Sequence, residues 1–199
     1  MGRLTSDRQA LFASPFASTL IETIAPVIAW VPRKKPQQPF RFGVTHTTTG
    51  KTTQVDIDLV WDIAKLSRRK PDVVAHAQRL AAGQSAAREH VTELAAYGLA
   101  FVAISALMPG RRVVHMSFGV APDMLFDVTP GALRGVEVAG RTTGGPSALA
   151  VVRDGTPARR GKKAAQGKHA QLLARVDIAE AHLALWCAEP RIGIMEQVK

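Results

Sequence analysis

Residues 111–141 read RRVVHMSFGVAPDMLFDVTPGALRGVEVAGR, and the way this stretch folds decides the class of the protein. Runs at 111–119, 123–128 and 134–141 are rich in branched and aromatic residues and are separated by Ala-Pro and Thr-Pro-Gly, which favour turns. The spacing predicts a β-meander. Side chains alternate along a strand, so Asp123, Leu125 and Asp127 share one face, while Glu137, Ala139 and Arg141 share a face of the next strand. Paired with those faces aligned around Pro130 and Gly131, the carboxylates converge across about 5 Å. Like charges that close repel, and a bound Mg²⁺ or Mn²⁺, a hard cation that prefers oxygen ligands, relieves the repulsion. Asp123, Asp127 and Glu137 are therefore the candidate catalytic and metal-binding residues, suited to activating water against a phosphodiester.

Working outward, residues 85–107 carry Val91, Leu94, Ala95, Gly98, Leu99 and Val102 at helical spacing, with Glu89 and Glu93 on a shared polar stripe and Pro109-Gly110 as the stop. The apolar run 94–108 falls short of the roughly 20 residues a helix needs to cross a bilayer, so a buried core helix is expected. Upstream, Pro71 opens a short helix over 71–80. The stretch FRFGVTHTTTGKTTQVDIDLVW at 40–61 predicts strands around a turn at Gly50. Residues 1–40 read as an arm whose helical part, 18–30, ends in VPRKKPQQP and packs on the main body or on a second copy. Downstream, Asp177 and Glu180 form a D-x-x-E start signal for a helix through Trp186, and IGIMEQV at 192–198 is a candidate last strand. The expected organisation is an arm at 1–40 followed by a single α/β domain at 41–199, with its core at 85–199.

Lys and Arg total 26 against 16 Asp and Glu, a formal charge of +10, which points to a polyanionic partner and makes nucleic acid the default. Between Arg141 and Lys168 lie Arg153, Arg159, Arg160, Lys162 and Lys163, with Asp154 as the single acid. Of these basic residues, Arg141, Arg159, Arg160, Lys162, Lys163 and Lys168 are the candidate grip on a phosphate backbone. Few aromatics accompany them, so no stacking platform for single strands is expected. The lone Cys187 excludes an internal disulfide framework and a cysteine-cluster zinc site, and fits a reducing, cytoplasmic setting. No histidine spacing of the HxxxH or HExxH kind occurs, THTTTGKTT has Thr45 where a P-loop requires glycine, and Asp56 and Asp58 read as the polar face of a strand.

The order of helix (85–107), three strands (111–141), helix (172–187) and strand (191–198) resembles that of the PD-(D/E)XK, or restriction-endonuclease-like, nucleases. The resemblance covers 85–199 and implies an α-β-β-β-α-β core to which an N-terminal helical arm and hairpin are added. It implies a metal-dependent nuclease of a defence or toxin type, acting on DNA rather than RNA. Asp123 or Asp127 would be the first metal-binding acid and Glu137 the second, with Glu89 or Glu93 as the acid some members carry on the preceding helix. The family's lysine, two positions after the second acid, is Ala139 here. Arg141 lies on the same face, and Lys162, Lys163 or Lys168 are the alternatives; arginine is essentially always protonated and a poor base, so a lysine is the better substitute.

An ordinary reading of the acids stands beside this one, in which Asp123 and Asp127 cap turns and Glu137 pairs with Arg134 or Arg141. The alternative functional expectation is an inactive nuclease-like binding or assembly protein that homo-oligomerises through the arm or docks to a partner. A membrane-active toxin or its inhibitor rests only on the apolar runs; no membrane partner is expected.

Overall fold

The computed structural model of the chain describes residues 2–5, 17–31, 37–117, 119–158 and 163–199. The Thr-rich segment forms the expected hairpin: β2 (Phe40–Thr48) and β3 (Lys51–Leu59) pair antiparallel from Phe40 opposite Leu59 to Thr48 opposite Lys51. Gly50 turns the chain there at a φ of +75°, a conformation that costs glycine little. A short β1 (Gly2–Thr5) lies parallel to β3. Helix α1 (Ala17–Trp30) precedes the hairpin, and α2 (Ile63–Arg69) and α3 (Pro71–Ala81) follow it. Asp62 caps α2 by accepting the Lys65 amide at 2.9 Å.

The long apolar stretch is α4 (Arg88–Leu107), and its buried residues run almost without a break from Ala95 to Ile104. It is the one helix among the described residues long and apolar enough to cross a membrane, and 67% of its apolar window is buried inside the protein. Helix α1 crosses it closely at Gly98, where a Cβ would come within 2.6 Å of Val27 Cγ2. Trp30 and Val31, at the end of the arm, are fully buried in the same core.

The meander forms as expected: β4 (His115–Met116), β5 (Met124–Asp127) and β6 (Leu133–Thr143) are antiparallel neighbours. Beyond it come α5 (Gly145–Asp154), a ribbon of β7 (Gly155–Thr156) and β8 (Ala165–Gln166), and α6 (Lys168–Ala174). Of the basic stretch, Arg153 lies in the last turn of α5 and Lys168 opens α6, with the β7–β8 ribbon between them.

The D-x-x-E signal at Asp177 misleads. Residues 177–186 are not a helix but most of β9 (Ile178–Glu189), which lies parallel to β6 and antiparallel to the last strand, β10 (Ile192–Gln197). The physical reason is burial on both sides. Ala181, Leu183, Leu185 and Cys187 enter one core while Ala184, Trp186 and Ala188 enter the other, which gives the continuous apolar run of a central strand.

The main sheet is mixed, with strand order β1-β3-β2-β10-β9-β6-β5-β4, and β2 lies parallel to β10. Helices α1, α3 and α4 cover one face over a core that includes Trp30, Phe40, Phe42, Leu99 and Trp186. Helices α5 and α6 cover part of the other, over Leu149, Leu172, Leu183 and Leu185. The result is an α/β sandwich with the sheet in the middle layer.

Candidate active site

The antiparallel register seats Met124 opposite Val136, so Asp123, one residue earlier, comes beside Glu137, one residue later. Asp123 is 6% exposed and Glu137 1%. The Asp123 carboxylate is held in place: its Oδ2 accepts the Val138 amide at 2.7 Å, and the Tyr97 hydroxyl reaches it from α4. Glu137 points to the α5–α6 face, as do Ala139 on β6 and Leu183, its partner on β9. One of its oxygens, Oε1, accepts a hydrogen bond from the Lys168 ammonium; the other, Oε2, is buried and has no hydrogen-bond partner among the described residues.

Lys168 is the first residue of α6, and its side chain is 37% exposed, so its amine bridges solvent and the buried acid. Gly167, just before it, lies flat on the turn at the end of α5, where a Cβ would sit 2.2 Å from the Arg153 carbonyl oxygen. That contact fixes where α6 begins and aims Lys168 at β6.

Burial raises the Asp123 carboxyl, and the Glu137 charge beside it raises it further, to about 7. The Val138 amide, the Tyr97 hydroxyl and the Lys168 charge oppose that shift without cancelling it. Tyr97 is itself pushed upward, first by burial and then by Asp123, so its hydroxyl stays protonated and donates.

Asp127 does not join this pair. A bulge between Leu125 and Asp127 breaks the alternation on β5, and the carboxylate turns back to accept the Thr129 amide at 3.0 Å and the Thr129 hydroxyl at 2.7 Å. Those two bonds hold it below the usual carboxylate range. Of the three expected acids, the structure brings Asp123 beside Glu137 and leaves Asp127 on the Thr129 turn, as in the ordinary reading of that residue. Among the described residues, no group of three or more His, Cys, Asp or Glu side chains is placed to hold a metal ion. Asp123 and Glu137 remain as hard oxygen donors, and the unpartnered Oε2 is chemically matched to a divalent cation, since Mg²⁺ often takes one or two carboxylates and completes its shell with water and phosphate.

Arg141 shares the face of Glu137 but stands about 13 Å farther along β6, four residues at roughly 3.3 Å each, and is exposed. Lys163 is exposed ahead of β8. Arg159, Arg160 and Lys162 lie outside the described residues. Arg153 is engaged elsewhere, in a two-pronged bond to Glu196 at 2.6 and 2.5 Å. On α4, Glu89 and Glu93 are exposed; Glu93 lies 3.9 Å from His90 and close enough to Tyr97 to raise its pKa.

Tyr97, which bonds Asp123, is the member of this cluster that the sequence did not single out, because it sits inside an apolar run read only as core. The available signal was its being the single tyrosine of the chain, a polar handle in a helix otherwise destined for burial.

An open cleft of about 390 Å³ lies at the C-terminal end of α4, bordered by His46, Arg111, Glu180, His182 and Lys199. Arg111 donates to Glu180 at 2.6 and 2.8 Å, and Glu180 contacts His182 Nε2 at 2.8 Å. Burial lowers the pKa of both His46 and His182.

Comparisons with protein-family models, with curated proteins and with solved structures found no match to this chain.

Proposed function

We propose that the chain is a Mg²⁺- or Mn²⁺-dependent phosphodiesterase acting on nucleic acid, with a restriction-endonuclease-like core in which Lys168 fills the role left vacant at Ala139. The observation that carries this reading is a pair of neighbouring buried carboxylates, one of them bonded by a lysine amine on one oxygen while its other oxygen lacks a partner among the described residues. An ordinary structural acid at that depth has both oxygens satisfied. The topology supports it as well: with the β7–β8 ribbon and β10 set aside and α5 and α6 taken together, helix α4, the antiparallel β4-β5-β6 meander, the helices and β9 parallel to β6 follow the order α-β-β-β-α-β. The strand expected at 191–198 forms as β10, while the helix expected at 172–187 gives way to β9, and α5 with α6 take its place in the order.

Asp123 and Glu137 are the residues that would hold the cation, Asp123 oriented by Tyr97 and the Val138 amide. When bound, such a cation supplies a Lewis acid for a phosphoryl oxygen and a more acidic water. Lys168, half in solvent, supplies a positive charge and hydrogen-bond donors for the phosphate at the reacting centre. The net charge of +10 favours a polyanion, and Arg141 and Lys163 are exposed donors for its backbone.

The test is incubation of the protein with supercoiled plasmid and with RNA in Mn²⁺, beside a Glu137→Gln control. Nicking by the wild type that falls about 100-fold or more in the variant is the expected result. Equal cleavage by both proteins removes the enzymatic reading. A second reading, an inactive nuclease-like assembly protein, is favoured by one observation: the Lys168–Glu137 ion pair already neutralises that acid. That reading predicts no cleavage under any divalent cation.

A further inference from the structure

The Lys168 ammonium occupies the one place where a second cation is unwelcome. It bonds Glu137 Oε1, and its charge is felt at Asp123, the other candidate metal ligand. Arg175, the other cation among the described residues whose charge interacts with Glu137, is committed to Asp177 at 2.7 and 2.6 Å and to the Ala121 carbonyl at 2.9 Å. Among the described residues, Lys168 alone combines a direct bond to the acid with a partly exposed stem along which the amine can swing out. Without a cation, two buried carboxylates side by side are unstable unless one is neutralised, and Lys168 does that for Glu137. With a divalent cation on Glu137 Oε2, the ammonium on Oε1 repels it across a few ångströms.

We propose that Lys168 is an exchangeable internal counter-ion that holds down the divalent-cation affinity of the Asp123–Glu137 pair. This inference rests on the metal-dependent reading above and adds the regulation of that site. Lys168 keeps the pair stable while it is empty and yields Glu137 as the cation arrives. The freed amine is then available to the phosphate, so vacating the acid and presenting the donor are one movement.

The experiment measures Mn²⁺ affinity by calorimetry, and thermal unfolding with and without Mn²⁺, for wild type, Lys168→Met and Lys168→Arg. Expected for Lys168→Met is Mn²⁺ binding tighter by about ten-fold or more, a lower melting temperature in chelator, and recovery in Mn²⁺. Lys168→Arg keeps the charge and is expected to bind Mn²⁺ like the wild type. Unchanged or weaker binding by Lys168→Met overturns the proposal. Lys168→Gln, the smaller polar replacement, is read in the same way if the methionine variant is insoluble; should neither fold even in Mn²⁺, Lys168 is a fixed structural element and the proposal falls. Wild-type protein that binds Mn²⁺ yet cleaves nothing sinks the nuclease reading alone, because the affinity difference between variants does not depend on cleavage.

Discussion

Lys168 and Glu137, 31 residues apart in the chain, form an ion pair between the start of α6 and β6, in which the acid is buried and the lysine side chain is partly exposed. The contact depends on the parallel crossover from β6 to β9, which carries the chain over the sheet through α5, the β7–β8 ribbon and α6. Charge, topology and burial therefore coincide at one spot, and the consequences can be measured.

Asp127 provides the sharpest control. Its carboxylate serves only the Thr129 turn, so Asp127→Asn is expected to leave Mn²⁺ affinity and cleavage within about two-fold of wild type. A loss of metal binding comparable to that of a Glu137 variant would return Asp127 to the site.

Stability in chelator is expected to depend on pH through Asp123. Its carboxyl titrates near 7 when folded, against about 3.9 unfolded, so the folded protein holds the proton more tightly. This contribution is complete below the unfolded value and is lost as pH rises through 7. Asp123→Asn should therefore unfold at a higher temperature than wild type at pH 8, with the advantage gone near pH 4. Parallel melting curves across that range contradict the buried-acid account.

His182 has the opposite sign. Burial lowers its pKa, so the unfolded chain takes up the proton first, and stability present above about 6.5 is lost as pH falls below it. Thermal unfolding between pH 7 and 5 should be flatter in His182→Gln than in wild type. A slope unchanged by the substitution assigns the acid limb to other groups.

Gly140 seats β6 against α4, where a Cβ would lie 2.8 Å from the Thr92 carbonyl oxygen and 3.0 Å from Ala96 Cβ. The Thr92 and Thr142 hydroxyls bond at 2.9 Å beside it. Gly140→Ala is expected to cost about 1–3 kcal/mol. It should also weaken the Tyr97 contact to Asp123, since it pushes apart the two elements that bring them together. Circular-dichroism melting tests the first point; an unshifted melting temperature refutes it.

Much of this arrangement was legible because local chemistry and tertiary structure agree. Gly50 marks the β2–β3 turn, Pro71 opens α3, Pro109-Gly110 follows α4, and the Pro-containing turns separate the meander strands. Agreement failed at Asp177, where a helix-start pattern lies ahead of a strand whose two faces are both buried, and burial overrode the local signal. Asp123 and Glu137 could be paired from alternation alone. Asp127 could not be separated from them, because a bulge leaves no mark in sequence. Lys168 stood among several basic candidates, since the contact that selects it is made through Gly167 and the end of α5. Nothing local tied Tyr97 to chemistry.

The parallel seam between β2 and β10 ties the first third of the chain to its final strand. Trimming the protein to the minimal helix-and-meander portion would strip β10 of its neighbour and leave a bare, largely apolar margin from Ile192 to Met195. An uncovered margin of that kind recruits other chains. The hairpin is thus the selvedge of the fabric, and any shortened version intended for biochemistry has to retain it.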